Sequence, residues 1–94
     1  MRVKWTPLAL QDLAALRNYI RHDNPAAAER VAKRILEAVD LLREQPGIGR
    51  PGRIIGTKEL GVTGTPYIIP YRVRFDVIEL LRVYHAAQKW PSSL

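Results

Sequence analysis

Cysteine is absent from the 94 residues, so neither a disulfide nor a thiolate metal site is available. Histidine is nearly absent: His22 and His85 are the only two and lie far apart in the chain, which suggests no metal site, and no cofactor is expected. No apolar run approaches the roughly 20 residues that cross a bilayer, yet 47% of the chain is hydrophobic, too much for a disordered segment. The basic start, apolar stretch and small-residue cleavage site of a signal peptide are missing, because Arg2-Val3-Lys4-Trp5 runs directly into a helix signal. A soluble, cytoplasmic protein without membrane association is the expectation. A chain this short encloses a single core, so residues 1–94 are read as one domain of modest stability.

Acidic residues are the scarce sign of charge. Nine Asp and Glu stand against fifteen Lys and Arg, a formal net charge of +6. Eight basic and six acidic residues precede Arg50, whereas seven and three lie from Arg50 onward. The positive field therefore belongs mainly to the C-terminal half, where it suits an acidic protein or a nucleic acid as well as a solvated surface.

Val3 and Trp5 flank Lys4 in strand-like alternation, and Thr6-Pro7 follows as a hydroxyl N-cap with proline in the first helical turn. Leu13, Leu16 and Ile20 fall on one face of that helix with Leu10 at its shoulder, while Gln11, Asp12 and Asn18 point away; the pattern ends near His22-Asp23. Asn24-Pro25 repeats the start signal. Ala28, Val31, Ala32, Ile35, Val39 and Leu42 then keep helical spacing until Pro46-Gly47, a helix of about 21 residues and on the order of 30 Å. So short a link makes the two helices an antiparallel hairpin.

The segment "PGIGRPGR", Pro46 to Arg53, reads as a loop between a helical half and a strand half. Three antiparallel strands are expected after it, in "TKELGV", "YIIPYRVRF" and "VIELLRVYH", separated by turns at Gly64-Thr65-Pro66 and around Asp76. Pro70 lacks a ladder donor, so a bulge is expected there, or a position whose missing N–H faces no partner. The reading is an α+β fold, β-α-α-β-β-β: a short N-terminal strand, a two-helix hairpin, and a three-stranded antiparallel meander against which the hairpin packs. The opposite sheet face, or a groove beside the hairpin, is left for a partner.

This architecture, together with "KWTPLALQDL", "YIRHDNPAAAER", "GRPGR", "GTKEL", "TPYIIPYRV" and "IELLRVYHAAQKWP", resembles the RelE/ParE superfamily of toxins from bacterial type II toxin-antitoxin modules, over essentially the whole chain. The resemblance implies a cognate acidic antitoxin that wraps and neutralises the toxin in a hetero-oligomer, an encounter the +6 charge would steer. It leaves two targets open, because ParE-like members poison DNA gyrase whereas RelE-like members cut mRNA in the ribosomal A site. The phrases "AAAER", "GRPGR" and "HAAQKWP" resemble ParE-like members more closely.

Metal-free RNA cleavage needs a base for the 2′-OH, an acid for the departing 5′ oxygen, and a cation on the phosphate. RelE-type nucleases resemble that recipe, with an arginine just before the apolar pair that precedes the penultimate-strand tyrosine. Alignment on Tyr71 puts Ile68 at that arginine's place. With the hairpin closing about Phe75-Asp76, Arg72 stands opposite Glu79 as a cross-strand ion pair, far from His85. In a continuous strand Arg82 lies on the sheet face opposite His85. The expected target-binding surface is Arg82, Tyr84, His85, Lys89 and Trp90; the expected antitoxin-binding cations are Arg72, Arg74 and Arg82. The alternative, a nuclease, would use His85, Lys89 and Glu59, with Arg50, Arg53 or Lys58 brought near by loops. His22 reads as a dipole partner at the end of the first helix.

Overall fold

A computed structural model describes residues 1–91 and 93–94. Strand β1 (Arg2–Trp5) hands the chain to α1 (Pro7–Asp23) through Thr6, whose Oγ1 accepts a hydrogen bond from the Ala9 amide at 3.2 Å while Pro7 occupies the first helical turn. The same hydroxyl lies 2.9 and 3.0 Å from the Leu80 and Leu81 carbonyl oxygens, so the start of α1 is tied to the far end of the chain. Asn24 serves both helices. Its amide closes α1 on the Ile20 carbonyl at 2.9 Å, and its Oδ1 accepts from Ala27 at 3.0 Å to open α2 (Pro25–Glu44). The one-residue link forces the helices side by side, where Arg17 clasps Glu29 at 2.7 Å.

The hairpin packs on the sheet through the side chains that the periodicity selects. Leu16, Ile35, Val39 and Leu42 are buried, and Leu13, Ile20 and Val31 pack partly buried against the same core. The sheet contributes Leu60, Val62, Ile69, Tyr71, Ile78, Leu80 and Val83.

Beyond the helices lie β2 (Arg50–Pro51), β3 (Lys58–Gly61), β4 (Tyr67–Arg74), β5 (Val77–Leu80) and β6 (Tyr84–His85), in the order β1-β5-β4-β3-β2 with β6 also on β4. Three features go beyond the meander read from sequence. Strand β1 pairs parallel with β5, Val3 opposite Ile78 and Trp5 opposite Leu80. Part of the expected loop forms the two-residue β2 on β3, close to a glycine that the packing requires: a Cβ on Gly49 would stand 2.6 Å from the Tyr71 hydroxyl. That hydroxyl accepts from the Gly49 amide at 2.9 Å and donates to the Pro46 carbonyl at 2.8 Å.

The third feature is the interruption of "VIELLRVYH". Tyr71 pairs with Leu80, and Ile68 pairs with Tyr84, so the two residues Ile69 and Pro70 face the three residues Leu81, Arg82 and Val83. The extra residue, and so the bulge, lies in Leu81–Val83, opposite Pro70 rather than in its own strand; Pro70 has no N–H to offer there, and its carbonyl still accepts from Leu81 at 2.9 Å. One added residue inverts which face each later side chain occupies. Tyr84 therefore joins Ile68 on the sheet face away from the helices, and His85 joins Tyr67 on the helix face.

The β4–β5 turn has two residues, Phe75 and Asp76, at φ 51 and 61°. Positive φ at both central positions gives the mirror-image turn whose twist suits a hairpin. Phe75 is 90% exposed at its tip.

Candidate partner-binding site

His85 lies in an open groove between α1 and the end of the sheet, beside Asp12, Tyr19, Tyr67 and Gln88. Its ring meets Tyr67 edge-on at 5.5 Å between centroids. Nδ1 accepts a hydrogen bond from the Ala87 amide at 3.1 Å, which leaves the proton of the neutral ring on Nε2. Among the described residues none that lines this groove is Lys or Arg. The groove thus offers one imidazole N–H, two phenols, the Gln88 amide and the Asp12 carboxylate, and no Lys or Arg among its lining residues to stabilise a phosphate in transfer.

Asp12, read from sequence as solvent-facing, points instead to the end of the sheet. It accepts two hydrogen bonds from the Arg82 guanidinium, 2.7 and 3.0 Å, and one from the Val83 amide at 2.9 Å. These bonds hold the Arg82 charge more firmly than usual, and they satisfy backbone freed by the bulge. Arg82 also lies 4.8 Å above the Tyr84 ring. Arg82, expected as a binding cation, is thus half-buried and paired with Asp12 within the fold.

On the outer sheet face Glu59 is buried, 3% exposed. Its carboxylate takes the Arg50 guanidinium at 3.2 Å and the Arg53 amide at 2.8 Å, with the Arg53 guanidinium 3.5 Å away. A carboxylate so occupied fastens β2 and the following turn; it is poorly placed to collect a proton from a substrate. Arg53 in turn lies 3.8 Å from the Trp90 ring centroid, and Trp90 packs on Tyr84 at 4.7 Å. Tyr84 is buried, and burial pushes its hydroxyl up, so it stays a neutral phenol. The C-terminal tail at Trp90 thus folds back over the outer face. The expected target-binding set does not form one surface: His85 is exposed in the groove on the helix face, Tyr84 is buried on the outer face under the half-buried Trp90, Arg82 is half-buried on Asp12, and Lys89 is exposed in the tail.

A second surface lies on the outer face around the β4–β5 hairpin. Arg72 donates to Glu79 at 2.8 Å across the strands, in the register read from the sequence. The next positions continue two rows: Lys4–Glu79–Arg72 and Arg2–Val77–Arg74. Four cations share this face with one carboxylate. Glu79 is held below the ordinary carboxyl range by its hydrogen bond from Arg72, with the Arg74 and Lys4 charges adding to it. Nothing local in the sequence places β1 beside β5, so Arg2 and Lys4 join this surface only through the fold.

Among the described residues no three His, Asp or Glu side chains gather as a metal site, and no helix is long and apolar enough to cross a membrane.

A two-helix hairpin over a small sheet whose outer face carries cations, closed by a histidine-tryptophan tail, defines a toxin of the RelE/ParE superfamily. The chain belongs to the ParE toxin family: residues 3–90 match the ParE toxin of the type II toxin-antitoxin system parDE. It is 53% identical over 93 residues to Y4kP of Sinorhizobium fredii (strain NBRC 101917 / NGR234), provisionally named a toxin, covering 99% of this chain and 96% of the relative. It is 41% identical over 87 residues to toxin RelE2 of Caulobacter vibrioides, covering 93% and 97%. Among solved structures, the chromosomal ParDE system of P. aeruginosa superposes with a TM-score of 0.83 at 31% identity, covering 90% of this chain and 95% of that one. The RelBE2 toxin-antitoxin complex of Mycobacterium tuberculosis gives 0.63 at 30% identity, covering 89% and 95%. The protein is thus the toxin of a type II toxin-antitoxin system, with an antitoxin as its partner.

Proposed function

We propose that this toxin stops growth by binding DNA gyrase, without chemistry of its own, and that a cognate acidic antitoxin neutralises it in the cytoplasm as a hetero-oligomer. The observation that carries this reading is the cation-free groove of His85. Among the described residues no Lys or Arg lines that groove, and the Arg82 guanidinium beside it is taken up by the Asp12 carboxylate. Ile68, at the place of the nuclease arginine, is half-buried opposite Tyr84. Arg50, Arg53, Arg72 and Arg82 are each paired with a carboxylate.

In this reading His85 and Lys89 contact the target, with Arg82 held at the end of the sheet by Asp12 and Tyr84 and Trp90 fixing the path of the tail on the other face. The antitoxin places carboxylates over Arg72 and Arg74 and reaches toward Arg82, an encounter that salt weakens. Purified toxin added to gyrase, ATP and relaxed plasmid is expected to block supercoiling or trap cleaved DNA; an unaffected reaction overturns the proposal.

A second reading, ribosome-dependent mRNA cleavage, is favoured by the 41% identity to toxin RelE2. It would use His85 and Lys89, with Glu59 released from its arginines. Primer extension on ribosome-bound mRNA would then show new ends that vanish in His85→Ala.

A further inference from the structure

We propose that the free edge of β1 receives an extended acidic segment of the antitoxin as an added strand. The proposal rests on the antitoxin reading above and specifies how that partner docks. Strand β1 ends the sheet order. Thr6 donates its amide to the Leu80 carbonyl at 3.2 Å, and residues of a parallel strand turn their backbone groups to a given neighbour at every second position. Arg2 and Lys4 therefore face β5, while the N–H and C=O of Val3 and Trp5 point outward. Among the described residues no hydrogen bond reaches those four groups beyond the sheet edge. They are a template for one strand of about four residues, some 13 Å long.

The side chains beside that template select its occupant. Arg2 and Lys4 stand exposed on the outer face, in rows that continue to Arg74 and Arg72. An incoming strand sets alternate residues next to them, so Asp or Glu at those positions is attracted. The intervening residues fall beside Val3 and Trp5, which are partly buried against the core, so apolar side chains there extend the existing cover. On the outer face inward of this edge, an open groove of about 570 Å³ runs over Val77 and Glu79 between Arg2 and Lys4 on one side and Arg74 and Phe75 on the other, so the cations of β1 continue toward the hairpin. The recognised pattern is apolar-acidic-apolar-acidic. A second copy of the toxin fits poorly: antiparallel β1–β1 pairing would bring Arg2 and Lys4 against Lys4 and Arg2, and like charges across a pair are destabilising.

The probe is a labelled peptide, Gly-Val-Glu-Val-Asp-Val-Gly, compared with the sorted isomer Gly-Val-Val-Val-Glu-Asp-Gly on the full-length toxin. The alternating peptide is expected to bind at least fivefold more tightly and to slow hydrogen exchange at the Val3 and Trp5 amides. Val3→Pro deletes an outward N–H and leaves the bonds to β5, which come from Arg2 and Lys4, in place. It should weaken binding about tenfold with its melting midpoint little changed, and Lys4→Glu, which keeps the backbone, should do the same. Equal binding of the two peptides, or Val3 and Trp5 amides that exchange as fast in the complex as in the free toxin, overturns the proposal. So does a toxin dimer that protects those amides without peptide. Co-purification with the cognate antitoxin separates the levels. A complex that leaves both amides unprotected removes the added strand and keeps the antitoxin reading; a toxin that captures no antitoxin removes both.

Discussion

Arg82 and Asp12, 70 positions apart, meet through two hydrogen bonds of 2.7 and 3.0 Å, and the Asp12 carboxylate also takes the Val83 amide. The pair anchors the bulged end of the sheet to α1 with both side chains mostly buried, 25 and 18% exposed. Asp12→Ala strands a guanidinium and an amide together, and should cost about 2–3 kcal/mol. Urea unfolding measures it. A loss below about 0.5 kcal/mol would mean that the bulge holds itself.

Tyr71→Phe removes a hydroxyl that serves both the Gly49 amide and the Pro46 carbonyl. Both groups are left without that partner, so a loss of about 1–3 kcal/mol is expected. Gly49→Ala should be comparably harmful, because its Cβ would meet the same ring. Combining the two changes should cost less than their sum, since both disturb one contact. Strict additivity in a double-mutant cycle would contradict the shared contact.

Glu79 supplies a pH test. Its carboxyl is depressed in the folded state by Arg72 first, so the stability it contributes is present above its ordinary value of 4.5 and is lost as pH falls through the lower folded value. The pair is partly exposed, so the effect should stay below about 1 kcal/mol. Wild type should exceed Glu79→Gln in urea stability at pH 7, and the gap should close toward pH 3. A gap that is constant across this range would show that the carboxyl is not perturbed.

Glu59 separates a fastener from a base. Glu59→Gln keeps the shape but frees Arg50 and Arg53, and Arg53 stacks on Trp90. Lower thermal stability and a red-shifted tryptophan emission are expected, with target inhibition retained by the folded fraction. Loss of inhibition in a variant with unchanged stability and emission would assign Glu59 a direct role.

Local signals carried much of the fold. Thr6-Pro7 and Asn24-Pro25 start the two helices where they occur, apolar spacing names their buried faces, and a two-residue turn at Phe75-Asp76 sets Arg72 opposite Glu79. Pro70 marked where the ladder breaks by the donor it lacks, while the extra residue itself sits in the facing segment, Leu81–Val83. The surfaces were harder to read, because they depend on what the bulge does to the faces beyond it: Tyr84 turns outward beneath Trp90, and His85 turns toward the helices. The contacts Asp12–Arg82, Glu59–Arg50 and β1–β5 join segments whose nearness no periodicity encodes. Charged residues that look solvated in sequence are fixed by such distant partners.

The central claim is that the toxin acts by occupying its target. Stoichiometry tests this most directly: toxin is titrated into gyrase held well above the dissociation constant, and supercoiling is followed alongside cleavage of ribosome-bound mRNA. Inhibition should saturate at a fixed molar ratio of toxin to gyrase, and the mRNA should stay intact. Cut mRNA accumulating in many-fold molar excess over toxin, with gyrase untouched, would contradict it.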